Sequence, residues 1–251
     1  MIRFLVIGDG CTDIHVYGKC DRLSPEAPVP ILKPVEITVT GGMAKNVAAN
    51  LRKMGAVVEI ITNVNNIKKT RYIDEHTNAM LLRVDENDYT DRIQSAVISE
   101  IKNNKFKDFE FDALIISDYC KGFLSEEDIN VLIKNNDLVF LDTKKMLGDW
   151  MYDVDFVKIN KREYEKTRRY VDENEIFNKL IVTQGSDGCQ YRNKPYPVTL
   201  VDGIKDYSGA GDTFISGFAY QFLKSKNVEE AINYAQECAT IVVQKHGVAT
   251  I

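Results

Sequence analysis

Six short runs of aliphatic and β-branched residues, each closed by turn-forming residues, punctuate the chain at 4–7, 57–62, 113–117, 138–142, 156–159 and 180–183. Between most of them the apolar residues take a helical spacing, at 44–54, 89–102 and 126–135. Strands that alternate with helices lie side by side only if each helix crosses over the sheet, which makes the strands parallel and covers both sheet faces. The expected fold class is therefore α/β, a three-layer sandwich around a mostly parallel sheet. Ligands in such sheets gather beyond the carboxyl ends of the strands. Every polar cluster described below lies in a loop of that kind.

Two stretches break the rhythm. Residues 11–40 alternate apolar and polar side chains and contain Pro25, Pro28 and Pro30, while residues 69–85 hold the extended runs Thr70-Arg71-Tyr72-Ile73 and Met80-Leu81-Leu82-Arg83-Val84-Asp85. Neither has a helical period, and prolines belong at strand edges. Together they are expected to form a small separate sheet, a lid over the site, whose exposed strands also point to a homodimer. No linker, repeat or low-complexity segment divides the 251 residues. One domain spanning 1–251 is expected, with its lid strands within 11–40 and 69–85.

A hydrophobic content of 44% suffices for a large core, and a net charge of −5 supplies no basic face for nucleic acid or a membrane surface. The five cysteines are scattered and lack a Cys-x-x-Cys pair, so they are expected to be reduced packing residues. His15, His76 and His246 have no spacing that suggests a metal site or a triad. The first residues run directly into a strand without the longer apolar core of a signal peptide, and no stretch is long enough to span a membrane. A cytoplasmic location is expected.

The chemistry concentrates in Asp206-Tyr207-Ser208-Gly209-Ala210-Gly211-Asp212-Thr213, where small residues run into a carboxylate at a helix start. Gly209 and Gly211 let successive N–H groups converge on one anionic point, and the helix behind adds its positive end. Asp212 at the edge of that cradle is placed to accept a proton from a hydroxyl, which is the need of a kinase. Taken alone, the turn reads equally well as a helix cap. Gly41 and Gly42 before the helix at 44–54 would bring a polyhydroxy ligand close to the backbone, with Asn46, Asp9 and Asp13 toward its hydroxyls; a plain loop-to-helix turn is the competing explanation. Asn160 and Glu163, one turn apart, suit either a Mg²⁺ water shell and phosphate or an N-terminal capping box. Thr183, Gly185 and Gly188 form a turn after a strand that fits nucleotide phosphates, or simply a hairpin. Lys121, Asp142 and Lys144 add charges at strand ends, the lysines as phosphate holders or as solvated loop residues.

Taken together and in this order, the motifs resemble those of the PfkB (ribokinase-like) carbohydrate kinases. Gly41-Gly42-x-Ala44-x-Asn46-x-Ala48 followed by Gly55 is similar to the family's N-terminal signature, and Gly209-Ala210-Gly211-Asp212 to its C-terminal one. Within the family the likeness is greatest to the D-glycero-β-D-manno-heptose 7-phosphate kinases of the ADP-heptose pathway. It rests on Gly8-Asp9-x-x-x-Asp13, Arg22-Leu23-Ser24-Pro25-Glu26-Ala27-Pro28-Val29-Pro30, Lys69-Thr70-Arg71, Leu82-Arg83-Val84-Asp85, Ser117-Asp118-Tyr119-x-Lys121-Gly122 and Asp142-Thr143-Lys144.

The resemblance implies a ribokinase-like sandwich with a β lid, and ATP and Mg²⁺ as cofactors. Asp212 would be the base, with the amides of Gly209, Ala210 and Gly211 as the anion hole. Asn160 and Glu163 would organise Mg²⁺ and phosphate, while Thr183, Gly185, Gly188, Lys245 and Gly247 would lie along the nucleotide. Asp13, Gly41, Gly42 and Asn46 would hold the sugar, with Lys121, Asp142 and Lys144 as further substrate contacts. The implied reaction phosphorylates heptose 7-phosphate at its anomeric hydroxyl. A PfkB kinase for another sugar or a nucleoside, and a non-catalytic sugar or nucleotide sensor, are the alternatives.

Three departures from the family pattern stand out. Asn65-Asn66-Ile67-Lys68 joins Val64 directly to the Lys-Thr-Arg segment where a helix–strand unit is usual, which bears on the sheet edge, the lid hinge and the sugar pocket. Tyr207 and Gln236 replace smaller or different residues near the nucleotide. No His-x-Gly-His motif follows, so an adenylyltransferase activity alongside the kinase is not expected.

Overall fold

The computed structural model describes residues 1–199 and 201–251. The first part of the chain runs β1 (Arg3–Gly8), β2 (Gly10–Lys19), β3 (Lys33–Met43), α1 (Ala44–Lys53), β4 (Val57–Thr62), β5 (Ile67–Asp74) and β6 (Met80–Glu86). It continues with α2 (Ser95–Glu100), a small hairpin of β7 (Lys105–Phe106) and β8 (Phe109–Glu110), β9 (Ala113–Asp118), α3 (Glu126–Lys134), β10 (Val139–Thr143), β11 (Phe156–Asn160) and α4 (Lys161–Thr167). After α5 (Glu173–Ile176) come β12 (Leu180–Thr183), β13 (Cys189–Tyr191), β14 (Lys194–Tyr196), α6 (Ala210–Ser225) and α7 (Val228–Val243).

Eight strands make one sheet in the order β14-β13-β12-β11-β10-β9-β1-β4, parallel from β12 to β4 and antiparallel only at the β13–β14 edge. Pleating divides the strand side chains between two cores. Phe4, Val6, Ala113, Ile115, Phe140 and Phe156 pack with α1, α6 and α7, whereas Leu5, Ile7, Leu114, Ile116, Leu141 and Val157 pack with α2 and α3. The six runs expected as strands are all present, shifted by at most about a residue at their ends. Among the described residues no helix is long and apolar enough to cross a membrane.

The lid is a second sheet, β3-β2-β5-β6. β1 and β4 are parallel neighbours in the main sheet, and the strands they feed, β2 and β5, are parallel neighbours in the lid. Both crossings are tied by the Asn63 amide, which accepts from Gly10 N at 2.6 Å and donates to Gly10 O at 3.0 Å and Asn65 O at 2.6 Å. With nothing interposed between β4 and β5, β4 is the edge of the main sheet. The proline-rich part of 11–40 is a turn, closed by Ser24 N on Val29 O at 2.8 Å and a single bridge from Leu23 to Pro30.

One expectation needs correction. The helix read at 89–102 shrinks to α2, because Thr90 N and Ile93 N bond to the carbonyls of Lys121 and Phe123 at 2.7 and 3.0 Å. Those bonds hold the first part of the segment extended against the β9 loop.

Phe218 is fully buried where α6 meets the sheet, with ring centroids 5.1 Å from Phe156 and 5.8 Å from Phe140. Phe218→Ala should cost about 3–5 kcal/mol, read as a lower midpoint in urea with an unchanged slope.

Candidate active site

α6 begins at Gly209, whose φ of 82° is left-handed and sharply turns the chain into the helix. The amides of the first turn have no acceptor inside the helix, and that of Ala210 bonds outside it to Tyr207 O at 3.3 Å. Asp212 sits in that turn, 3% exposed. Its two oxygens accept from Tyr119 Oη at 2.5 Å and from Asn46 Nδ2 at 3.0 Å. Asn46 presents its NH₂ because Asn50 Nδ2 donates to its oxygen at 3.1 Å. Burial pushes the Asp212 carboxyl up to about 6, partly offset by the hydrogen bonds from Tyr119 and Asn46. An acid of that strength is ionised at neutral pH yet near its point of proton exchange, as a general base needs to be.

A cleft opens in front of Gly209, Ala210 and Gly211. Asn160, Thr183, Gly185, Gly188 and Lys144 line the same cleft. Asn160 and Glu163 form a reciprocal capping box, with Glu163 N to Asn160 Oδ1 at 3.0 Å and Asn160 N to Glu163 Oε2 at 2.7 Å. The free oxygen of Glu163 pairs with Lys144 at 2.8 Å. Burial would lower the Lys144 pKa, but Asp142 and Glu163 together raise it. Asp142 is bonded to Lys158 at 2.7 Å, both side chains being buried, and its second oxygen has no hydrogen-bond partner. A Cβ on Gly211 would lie 2.9 Å from Lys158 Nζ, so this ammonium reaches into the anion cradle.

On the lid side, Asp13 is buried in an ion pair with Arg71, and a side chain at Gly42 would overlap its carboxylate. Gly41 and Asn46 line a second cavity with Gly247, which packs against His15. Lys245 is exposed and donates to Thr250 O at 2.6 Å, so neither it nor Gly247 lines the cleft of Thr183 and Gly188. Lys121 is paired with Asp88. Asp9, also expected near the sugar, commits one oxygen to the amides of Tyr119 at 2.6 Å and Lys121 at 3.3 Å and so shapes the β9 loop.

Among the described residues no group of three His, Cys, Asp or Glu forms a metal nest. Glu163, Asn160 and the Asp142 oxygen that has no hydrogen bond and lies 3.9 Å from Lys144 would fit Mg²⁺ carried mainly by phosphates and water, its ordinary manner of binding.

The model of the pfkB family carbohydrate kinases matches residues 57–251. The chain belongs to the PfkB carbohydrate kinases. The bifunctional protein HldE of a Nitratiruptor species is 31% identical over 99% of this chain and 63% of its own length, so this PfkB chain spans under two thirds of that relative. That alignment runs over 293 positions against 251 residues here, so the relative carries segments this PfkB chain lacks. The ribokinase-like fold recurs in the Methanocaldococcus jannaschii nucleoside kinase, with a TM-score of 0.70 and 18% identity over 99% of this chain and 93% of that one. It recurs again in the Thermotoga maritima ribokinase, with a TM-score of 0.70 and 17% identity over 99% and 95%.

Two residues of this PfkB site are not singled out by the sequence motifs. Tyr119 lies inside a recognisable phrase, but nothing local tells that its hydroxyl crosses to Asp212. Lys158 occupies an inward position of an apolar strand, where a lysine breaks the pattern, and that break was the available clue.

Because the Asp212 pKa is raised on folding, the native state binds the extra proton between about pH 4 and 6, and stability falls as pH rises through that window. At neutral pH the charged carboxylate costs on the order of 3 kcal/mol. Asp212→Asn should therefore be more stable than the wild type at pH 7.5 and lose that advantage at pH 4, as followed by thermal unfolding at both pH values.

Proposed function

We propose that this PfkB kinase transfers the γ-phosphoryl group of ATP to the anomeric hydroxyl of D-glycero-D-manno-heptose 7-phosphate, giving the 1,7-bisphosphate. The observation that carries the reading is the buried Asp212 carboxylate, held by Tyr119 and Asn46 in the first turn of α6. The choice of sugar is supported by the motif phrases of the lid and strand ends and by the similarity to bifunctional HldE proteins.

In this mechanism the nucleotide lies in the cleft of Thr183, Gly185 and Gly188, and the sugar lies between Asp212 and the lid, near Asp13, Gly42 and Asn46. Asp212 takes the proton of the attacking hydroxyl through its remaining lone pairs. The amides of Gly209 to Asp212 face the transferring group, with the Lys158 ammonium alongside, so charge is met by fixed donors as it moves. Lys144 holds Glu163 and, with it, the end of the cleft where the phosphates arrive. Mg²⁺, when bound, neutralises and aligns phosphate oxygens. Asp142 keeps Lys158 in place.

A sugar or nucleotide sensor is the competing function, and the raised pKa of Asp212 speaks against it. A binding module gains nothing from burying a charged carboxylate that costs stability. Asp212→Asn should lower turnover by about two orders of magnitude or more while leaving nucleotide affinity nearly unchanged. The measurement is ADP release from Mg-ATP over a panel of sugars and sugar phosphates that includes heptose 7-phosphate. Unchanged turnover in the variant removes Asp212 as base, and silence across the panel with retained ATP binding favours the sensor.

The same reading includes a homodimer through the lid. Its outward face carries Ile37, Val39, Leu82 and Val84, each exposed and apolar, on strands with no cover in the single chain. Solution scattering at working concentration should give twice the chain mass, and Ile37→Lys with Leu82→Lys should return it to one.

A further inference from the structure

Two of the lid motifs, Lys69-Thr70-Arg71 and Leu82-Arg83-Val84-Asp85, stay outside the nucleotide cleft. Strand register sets Asp13 beside Lys69, Lys69 opposite Asp85 and Arg71 opposite Arg83, so the pleat turns all five side chains to one face of the lid. They are tightly cross-paired. Arg71 holds Asp13, Arg83 forks onto Asp85 at 2.6 and 2.7 Å, and Lys69 is shared between Asp85 at 3.5 Å and Asp88 at 3.2 Å. Lys121, from the loop after β9, takes the other oxygen of Asp88. One carboxylate therefore bridges two ammonium groups, one from the lid and one from the body of the molecule.

Asp88 is the most exposed carboxylate of this group. It lies in the turn after β6, next to Asn87 at φ 52°, and its side chain is 36% exposed, against 30% for Asp85 and 6% for Asp13. Lys69, by contrast, is buried, and an ammonium that dry must keep an anionic partner. The four cations exceed the three carboxylates by a single charge. Without Asp88 the excess is two, the complement of a phosphate dianion. A phosphate can also reproduce the bridge, since two of its oxygens face two donors much as a carboxylate's do. Cys11 donates to Asp13 at 3.4 Å and belongs to a small apolar cluster against which Tyr119 packs, and the Tyr119 hydroxyl donates to Asp212, so the charged cluster and Asp212 flank the same space.

We propose that Asp88 occupies the seat of the acceptor's distal phosphate. A phosphorylated acceptor displaces the Asp88 carboxylate, bridges Lys69 and Lys121 in its place, and so joins lid to body with the acceptor's other end at Asp212. The inference rests on the acceptor being a sugar phosphate, as proposed above, and it adds the residues that read that phosphate and the internal anion that guards them. An acceptor without the phosphate leaves Asp88 where it is and gains nothing from the cluster.

The test is calorimetric titration of inorganic phosphate into the protein saturated with Mg²⁺ and a non-hydrolysable ATP analogue, which fills the nucleotide cleft. Asp88→Asn, an isosteric change at a partly exposed turn, should bind phosphate about tenfold more tightly than the wild type. Adding Lys121→Met should abolish that gain. Equal or weaker binding by Asp88→Asn, or a gain that survives Lys121→Met, overturns the proposal. The outcome is separable from the choice of sugar. Turnover of heptose 7-phosphate with no Asp88 effect removes the seat and keeps the kinase, whereas an Asp88 effect without heptose turnover keeps the seat and points to a different phosphorylated acceptor.

Discussion

A carboxylate that is both charged and dry is the constraint around which the mouth of this sheet is arranged. Burial alone would neutralise Asp212, and only donors fixed in advance keep it ionised near neutral pH. Those donors come from remote parts of the chain, Tyr119 from the loop after β9 and Asn46 from α1, each oriented by its own neighbours. Ser216 adds a tie between the two helices, donating to Val47 O at 3.2 Å one turn beyond the carboxylate. The packing of α1 and α6 on one face of the sheet is thus also the alignment of donor and acceptor, and stability is given up there to hold a charged carboxylate in place.

The lid depends on the same pairing of charges. Its inner face is polar and its outer face apolar, the reverse of what a free-standing sheet in water would choose. The inner charges are paired among themselves, with Lys121 adding one cation in excess, and the apolar outer face is the part that calls for another surface. Both lid strands that leave the main sheet are tied through Asn63, so the lid moves, if it moves, about a single clamped edge. The direct passage from β4 to β5 is what brings the two crossings close enough for one amide to bind both.

At the end of the cleft the structural explanations hold, and the residues that serve them also line the cleft. Asn160 and Glu163 form a capping box, as their spacing commonly means, yet one oxygen of Glu163 remains for Lys144 at the edge of the cleft. The turn from Thr183 to Gly188 is a hairpin into β13 and also a wall of the same cleft. A helix start and a strand turn are where backbone donors are left over, so the residues that finish secondary structure are the ones available to a ligand.

The alternation of strand runs and helical patterns by itself determined the parallel sheet, because side-chain period and turn residues are local properties. The glycine-rich phrases likewise marked both ends of the site, since only small residues leave backbone donors open to a ligand. The helix misread at 89–102 failed for the opposite reason: hydrogen bonds to a loop about thirty residues away overrode a local period. Tyr119 on Asp212, Lys158 beside Gly211 and Asp88 between Lys69 and Lys121 were decided by the tertiary structure alone. Each is a pairing of charges or polar groups across the fold, and neither its distance nor its dryness exists until the strands that carry it are laid side by side.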